Sequence, residues 1–234
     1  QRILHSFGQS QPDSIRTFQS YFNHAPELVS YPENENDLIT LYEFCEKLNV
    51  ALIPYGAGSS VVGGVTSNVS SKYNGTISVN LSKFNKVLEV DDVSLSAKIQ
   101  GGIRGPDLET SLKNYGLTLR HFPQSFEHST LGGWIATRSG GHFATLYTHI
   151  DDLVQNITTV TPAGKIQSLR VPGSGAGPSP DRLMLGSEGA LGIITEAWVR
   201  VQKKPTYKAT AGFLFESFFK ASQAVRAISQ AGLY

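Results

Sequence analysis

Glycine is the residue that most constrains this chain, because its 23 copies gather in short clusters instead of being spread evenly. Glycine weakens regular elements but permits tight turns and close approach of the backbone to a ligand. The pattern therefore predicts short helices and strands joined by loops that carry the binding surface. The clusters lie at residues 56–64, 101–105, 132–141, 173–177 and 186–192.

The composition describes a globular chain without a strong electric field. Hydrophobic residues make up 40% and charged residues 17% of the 234 residues, which indicates one large domain or two small ones. Twenty basic against nineteen acidic side chains give a net charge of +1, so nucleic acid is not an expected partner. No apolar run approaches the roughly 18 residues of a membrane span. Cys45 stands alone among helix-spaced apolar residues, which predicts a small buried hydrophobe.

The hydrophobic periodicity alternates between helices and strands and favours an α+β fold. Helices are predicted at 36–48, between Pro106 and Gly116, and at 217–230. In the last helix we expect one apolar face to point inward, formed by Phe218, Ala221, Val225 and Ile228. Strands are predicted at 50–54, 76–81, 87–90, 95–100, 152–160, 193–201 and 209–215, and a loop at 171–180.

The first glycine loop reads Pro-Tyr-Gly-Ala-Gly-Ser-Ser at 54–60 and follows a predicted strand. Its small residues and successive amides could form a donor-rich concavity for a pyrophosphate, or simply a tight turn. Its glycines are not in the Gly-x-Gly-x-x-Gly order, and no Gly-Lys-Ser/Thr follows. Rossmann and P-loop readings are therefore excluded.

The second loop, at 123–141, alternates hydroxyl residues with glycines. It suits backbone laid against a flat polar ligand, with Arg138 offering charge, better than a strand or helix, although an ordinary surface loop remains the alternative. His128 and His142 flank it, and each alone is more often a structural histidine than a base.

In the third loop, at 185–197, a glycine turn leads directly into an apolar strand, and Glu188 could bind a ribose or backbone group, or be solvated. The sequence contains no carboxylate pair, metal-spaced histidines or nucleophile elbow, so it shows binding groups and little catalytic apparatus.

Taken together, the three loops resemble the FAD-binding domain of the vanillyl-alcohol oxidase and p-cresol methylhydroxylase superfamily (PCMH-type). The motifs are Pro-Tyr-Gly-Ala-Gly-Ser-Ser at 54–60, Ser-x-x-x-Ser-Thr-x-Gly-Gly-Trp-x-x-Thr-Arg-Ser-Gly at 125–140 and Gly-Ser-Glu-Gly-x-Leu-Gly-x-Ile-Thr-Glu at 186–196. Within the superfamily, the block around Trp134 and the stretch 150–154 are most similar to alkyldihydroxyacetonephosphate synthases. The resemblance covers residues from about 25 to 234.

The resemblance implies two α+β subdomains that hold an extended FAD between them. The first loop would wrap the diphosphate, the second would run beside the ribityl chain and flavin ring, and the third would approach the adenosine end. The cofactor-binding residues implied in this way are Pro54, Tyr55, Gly56, Ala57, Gly58, Ser59, Ser60, Gln124, Ser125, Phe126, Glu127, His128, Ser129, Thr130, Thr137, Arg138, Ser139, Gly140, Glu188, Gly189, Ala190, Leu191, Gly192, Ile193 and Ile194.

The implied domains are an N-terminal extension at 1–24, a first subdomain at 25–100, a second at 101–204 and the start of a cap domain at 205–234. Because the resemblance implies that the family's catalytic Tyr and His lie in the cap, no catalytic residue is assigned here. No metal ligand is assigned either, since the sequence has no metal-spaced histidines. We expect this chain alone to bind FAD without turning over substrate.

The function implied by resemblance is that of an alkylglycerone-phosphate synthase in ether-lipid biosynthesis. A fatty alcohol replaces the acyl group of acyl-glycerone phosphate while flavin N5 holds the glycerone-phosphate carbon. The alternatives are an FAD-dependent oxidoreductase of a 2-hydroxy acid, of the D-lactate or glycolate type, and a non-catalytic FAD-binding fragment. A small-molecule or lipid substrate would enter through the cap, and homodimer formation is left open. The expected compartment is the cytoplasm for a bacterial protein and the peroxisome for a eukaryotic synthase.

We predict that FAD is bound noncovalently, because the loops offer hydrogen-bond donors and no clearly placed residue for attachment to the flavin. Acid precipitation of the FAD-loaded protein should leave the yellow colour in the supernatant. Flavin that stays with the precipitated polypeptide would contradict this and would point to His128 or His142 as the attachment residue.

Overall fold

The computed structural model describes residues 1–143, 147–171 and 175–232. The α-helices are α1 (Gln11–Phe18), α2 (Glu35–Leu48), α3 (Gly105–Lys113), α4 (Leu131–Thr137), α5 (Pro180–Met184) and α6 (Phe218–Gln230). The strands are β1 (Leu28–Ser30), β2 (Ala51–Tyr55), β3 (Thr76–Asn80), β4 (Val87–Asp91), β5 (Ser96–Gln100), β6 (Leu117–Thr118), β7 (Val154–Thr161), β8 (Gly164–Gln167), β9 (Ile193–Arg200) and β10 (Gln202–Lys203). Short 3-10 helices lie at Arg2–His5, Phe126–His128 and Ile150–Asp152. The predicted α+β class is confirmed.

The N-terminal sheet is a parallel sheet in the order β1-β3-β2. Parallel strands need a crossover connection, and α2 supplies it between β1 and β2, which lie on either side of β3. Asn34 caps α2 in a capping box with Asp37, which explains why the helix begins one residue before the predicted start. Cys45 is buried on this helix, as predicted, and burial raises the pKa of its thiol.

The second sheet is antiparallel, in the order β4-β5-β9-β7-β8. Its central strands β7 and β9 are eight residues long, and both are mostly buried. We expected the first subdomain to extend to residue 100, but β5 pairs along its whole length with β9. The change from one sheet to the other therefore lies between Asn80 and Val87, where the chain leaves β3 and enters β4.

A shared apolar cluster joins the two sheets. Leu38 of α2 and Val79 of β3 pack with Val160 of β7 and Ile193 of β9. Beside this cluster, the Glu35 carboxylate accepts a hydrogen bond from Thr195 Oγ1 at 2.7 Å. The sheets are consequently fixed to each other by both apolar and polar contacts.

The segment at 131–137, which was expected to be a loop, is helix α4. Thr130 caps it by accepting a hydrogen bond from the Gly133 amide, and Leu131, Trp134 and Ile135 are buried in the main core. The two glycines have poor helix propensity, but burial of three large apolar side chains outweighs that cost.

The C-terminal part departs most from the predictions. The strand predicted at 209–215 is wrong, because these residues form no strand and are exposed. Helix α6 is present, but Phe218, Val225 and Ile228 on the face predicted to be inward are 60% to 85% exposed and Ala221 is half-buried. Among the described residues, no element covers this helix, so its amphipathic pattern has no apolar surface to pack on.

Several other elements fall within a residue or two of their predicted bounds, including α3 and strands β2 to β5. Helices α1 and α5 and strands β1, β6, β8 and β10 were not predicted. In the loop predicted at 171–180, residues 172–174 lie outside the described part, and Pro180 begins α5. Within the described ranges, no helix has the length and apolar character needed to cross a membrane.

A close backbone contact joins α4 to the five-stranded sheet. The Gly132 amide donates to the Gly101 carbonyl at 2.7 Å. A Cβ on Gly132 would lie 2.9 Å from that carbonyl oxygen, and one on Gly101 would lie 2.6 Å from the Ile194 carbonyl. Only glycine at both positions allows this approach.

We therefore expect Gly132→Ala to lower the free energy of unfolding by about 1 to 2 kcal/mol, because the backbone clash outweighs the better helix propensity of alanine. Urea unfolding followed by circular dichroism measures the change. The control is Gly212→Ala, where an added Cβ meets nothing within 4 Å. An equal effect of the two substitutions would show that the backbone contact is not tight.

Candidate functional site

A cleft of about 930 Å³ lies between the end of the parallel sheet and α4 with the start of β9. Its volume is within the range of roughly 300 to 1,000 Å³ that is usual for cofactor sites. The three glycine loops form its walls. The lining residues are Gln9, Pro54, Tyr55, Gly56, Ala57, Gly58, Ser59, Ser60, Val61, Val62, Gly64, Val65, Leu81, Arg104, Gln124, Ser125, His128, Ser129, Thr130, Gly132, Gly133, Trp134, Ala136, Thr137, Ser139, Glu188, Gly189, Gly192 and Ile194.

The first loop leaves β2 at Tyr55 and turns back within a few residues. Gly58 has φ +76°, and a Cβ there would lie 2.1 Å from the Tyr55 hydroxyl. The loop is closed by Ser60 Oγ, which accepts a hydrogen bond from the Gly64 amide at 3.2 Å. The amides of residues 57–59 donate to no described residue. These amides are available to a ligand in the cleft.

The second loop uses its hydroxyl groups mainly to hold α4. Ser129 Oγ accepts a hydrogen bond from Trp134 Nε1 at 2.6 Å and donates to the Ser125 carbonyl at 2.7 Å. A Cβ on Gly56 would lie 2.5 Å from Thr130 Oγ1, so the first loop lies directly against the cap of α4.

The third loop is attached to the other end of the same helix. The Gly186 amide donates to the Ile135 carbonyl at 3.1 Å, and the Glu188 amide donates to the Ala136 carbonyl at 2.9 Å. Gly189 lies against the ring of Pro54, so the third loop also contacts the first. Burial raises the pKa of Glu188.

The charged groups of the cleft are few. Arg104, at the N-cap of α3, is the only Lys or Arg among the lining residues, and Glu188 is the only carboxylate. Burial raises the pKa of Tyr55, and the positive charge of Arg104 partly opposes this. A ligand carrying a diphosphate would find a matching cation in Arg104.

Arg138, expected to offer its charge to the ligand, is engaged elsewhere and does not line the cleft. Its guanidinium binds the buried Asp151 carboxylate at 2.7 Å. Arg182 binds the same carboxylate oxygen at 2.5 Å.

Eighteen of the twenty-five residues implied by the resemblance line the cleft, among them all seven of the first loop. Phe126 is instead stacked on Trp134 with ring centroids 6.1 Å apart, and Ile193 is buried in the core of the sheets. The residues outside the lining are Phe126, Glu127, Arg138, Gly140, Ala190, Leu191 and Ile193.

The sequence reasoning missed eleven lining residues. Some had a visible signal: Arg104 lies in the glycine cluster at 101–105, and Gly132, Gly133 and Trp134 belong to the quoted motif. Gln9 had none, because it is brought to the cleft by tertiary contacts alone. The missed residues are Gln9, Val61, Val62, Gly64, Val65, Leu81, Arg104, Gly132, Gly133, Trp134 and Ala136.

His121 lies behind the second loop and was also missed. It is 4% exposed, its Nε2 is 2.8 Å from the hydroxyl of the cleft residue Ser139, and its ring meets Trp134 edge-on at 5.3 Å. Desolvation, with a smaller effect from His149, lowers its pKa to about 4. The imidazole is therefore neutral at physiological pH.

FAD fits the residues that are present. The cleft has the required size, free amides where the chain turns at Gly58, one cation for a diphosphate and one carboxylate able to accept from ribose hydroxyls. In the described part of the chain, no group of three or more metal-ligating side chains occurs.

Together, the two sheets and the three-loop cleft define a dinucleotide-cofactor domain of the flavoprotein type. Residues 26–170 match the FAD binding domain family, and the chain belongs to this family. The predicted PCMH-type fold and its FAD cofactor are thereby confirmed.

The chain is similar to several longer proteins. It is 41% identical over 227 residues to alkyldihydroxyacetonephosphate synthase of Dictyostelium discoideum, covering 97% of this chain and 37% of that protein. A solved structure of alkyldihydroxyacetonephosphate synthase matches with a TM-score of 0.91 and 41% identity, covering 98% of this chain and 42% of the other. Glycolate oxidase subunit GlcD of Bacillus subtilis is 31% identical over 228 residues, covering 96% of this chain and 45% of that protein. The chain thus spans less than half the length of each.

The lowered pKa of His121 gives a prediction for stability. Its pKa of about 4 lies below the usual value of 6.5, so the unfolded state gains a proton first as pH falls. His121 should therefore stabilise the fold above pH 6.5 and lose about 2 kcal/mol of that stability between pH 7 and pH 5.

Denaturant unfolding at pH 7 and pH 5 measures this loss. The loss of unfolding free energy between pH 7 and pH 5 should be about 2 kcal/mol smaller in His121→Gln than in the wild-type protein. It should be unchanged in the control His24→Gln, since His24 is exposed. Equal pH dependence in all three proteins would show that His121 accepts a proton as readily in the folded state.

Proposed function

We propose that this chain is the FAD-binding part of an alkylglycerone-phosphate synthase. The observation that carries the proposal is the difference in similarity. The synthases are 33% to 41% identical over 93% or more of the chain, whereas the glycolate oxidase subunit and the yeast D-lactate dehydrogenase are 31% and 28% identical. The structural match to a synthase over 98% of the chain supports the same choice.

In this proposal, the chain's own residues bind and orient FAD. The free amides at 57–59 and the guanidinium of Arg104 hold the diphosphate, and Glu188 accepts from the adenosine ribose. The wall formed by Thr130, Trp134 and Ser139 supports the flavin half. Bound FAD supplies the flavin ring at which the substrate is converted.

The proposed reaction exchanges groups without net oxidation. The bond between the glycerone-phosphate carbon and the acyl oxygen breaks, and the fatty acid leaves. A bond forms between the same carbon and the oxygen of a fatty alcohol, which loses its proton. No electron passes to an external acceptor, which separates this activity from that of an oxidoreductase.

The second candidate is an FAD-dependent dehydrogenase of a 2-hydroxy acid. The observation that favours this candidate is the 31% identity to the glycolate oxidase subunit over nearly the whole chain. In this proposal, synthases and dehydrogenases share the FAD-binding elements. Both candidates need the same cofactor pocket. The substrate-binding and catalytic groups are proposed to lie in a cap domain, as the sequence analysis expected.

The deciding experiment uses the full protein encoded with this sequence, loaded with FAD. One assay supplies acyl-glycerone phosphate and a long-chain alcohol, and measures the ether product and the released fatty acid. The other supplies D-lactate or glycolate with an artificial electron acceptor. We expect one fatty acid released per ether formed and no acceptor reduction.

Acceptor reduction without ether formation would replace the synthase by the dehydrogenase. The 234-residue chain serves as the matched comparison, and we expect it to bind FAD and to form no product in either assay. Ether formation by this chain alone would show that the active site needs no cap.

A further inference from the structure

The first ten residues lie outside the region that matches the FAD binding domain family, yet they pack onto the cleft. They form a 3-10 helix at Arg2–His5 followed by an irregular stretch. Residues 5–8, within the N-terminal extension expected at 1–24, are buried. A segment of this kind must have a specific surface to pack on.

That surface is the first glycine loop. The Gln9 amide donates to the Ser60 carbonyl at 2.6 Å. A Cβ on Gly8 would lie 2.1 Å from the same carbonyl oxygen, so the two backbones are in direct contact. At the other end of the loop, the Tyr55 hydroxyl donates to the Leu4 carbonyl at 3.0 Å. The segment therefore holds both ends of the loop that turns at Gly58.

His5 adds contacts between the N-terminal segment and the parallel sheet. Its ring centroid lies 4.2 Å from that of Tyr55, and its Nε2 is 2.9 Å from the side-chain Nδ2 of Asn80 at the end of β3. Its Nδ1 is 2.9 Å from the Gln1 carbonyl. Both ring nitrogens are satisfied when Nδ1 donates to Gln1 and Nε2 accepts from Asn80, which fixes the segment against the parallel sheet.

Gln9 is the member of the segment that lines the cleft. Its backbone is fixed by Ser60, and its carboxamide makes no hydrogen bond to any described residue. Because Ser60 belongs to the loop with the free amides, Gln9 lines the cleft next to the loop that carries those donors. A carboxamide offers two N–H groups to an anion and carries no charge that would repel it.

We propose that the N-terminal segment 1–10 is part of the FAD site, with the Gln9 carboxamide donating a hydrogen bond to the FAD diphosphate. The other residues of the segment act by positioning the first loop. The proposal rests on FAD binding by this domain and is independent of the substrate, so it survives if the synthase activity fails.

The test measures the dissociation constant of FAD for apoprotein by flavin fluorescence, for the wild-type protein, Gln9→Ala and Gln9→Glu. Loss of one hydrogen bond to a charged group should weaken binding by about tenfold in Gln9→Ala. Gln9→Glu should bind more weakly still, because it places a negative charge beside the diphosphate. Salt should reduce the difference between the two variants by screening this repulsion.

Gln11→Ala is the matched control, because it makes the same chemical change two positions away and outside the cleft lining. Competition by ADP should show the same order of affinities as FAD, since ADP carries the diphosphate without the flavin. Thermal unfolding of the apoproteins should be unchanged, because the Gln9 side chain makes no hydrogen bond to any residue that the structure describes.

Gly8→Ala tests the positioning role separately. It should weaken FAD binding by displacing the loop at Ser60, and should also lower the melting temperature. The proposal for Gln9 is overturned if Gln9→Ala and Gln9→Glu both bind FAD like Gln11→Ala. An effect on FAD without an effect on ADP would overturn the assignment to the diphosphate.

Discussion

The close contact between α4 and the five-stranded sheet is the constraint on which the cleft depends. The hydrogen bond from Gly132 to Gly101 sets α4 at a distance that no side chain on either residue would allow. All three loops are then attached to this short helix. The first lies against its N-terminal cap at Thr130, the second leads into it, and the third is hydrogen-bonded to carbonyl groups of its last turn at Ile135 and Ala136. One backbone contact thus fixes the relative position of the three cleft walls.

The sequence predicted the class of fold, the family and FAD because the glycine motifs are local. Residues 54–60 and 125–140 carry their pattern in a few consecutive positions, and their spacing does not depend on long-range packing. The assignment of individual residues to FAD stays a prediction, although most of them line one cleft. Two other motif residues, Phe126 and Ile193, pack into the protein instead of lining the cleft. A motif also contains residues that hold its own loop in place.

What the sequence missed depended on contacts between distant residues. Helix α4 was not predicted because its glycines are unfavourable in a helix, and only burial of Trp134 and its neighbours compensates. The pairing of β5 with β9 was not predicted either, since it joins residues about a hundred positions apart in the sequence. The strand predicted at 209–215 failed for the opposite reason. Its residues are apolar, but an apolar run forms a strand only where a neighbouring strand can pair with it.

The ion pairs of Asp151 have a consequence for the electrostatics of the cleft. Arg138 is in the left-handed region with φ +50°, a conformation that costs about 1 kcal/mol for a residue with a side chain. Its bond to Asp151 offsets this cost and turns its guanidinium toward the carboxylate that also holds Arg182. Two cations outside the cleft lining are thereby partly neutralised by one buried anion. Among the residues that line the cleft, Arg104 is the one Arg or Lys and Glu188 the one carboxylate, so the field that draws an anionic dinucleotide inward comes from one cation and the neutral amide dipoles of residues 57–59, although the protein has almost zero net charge.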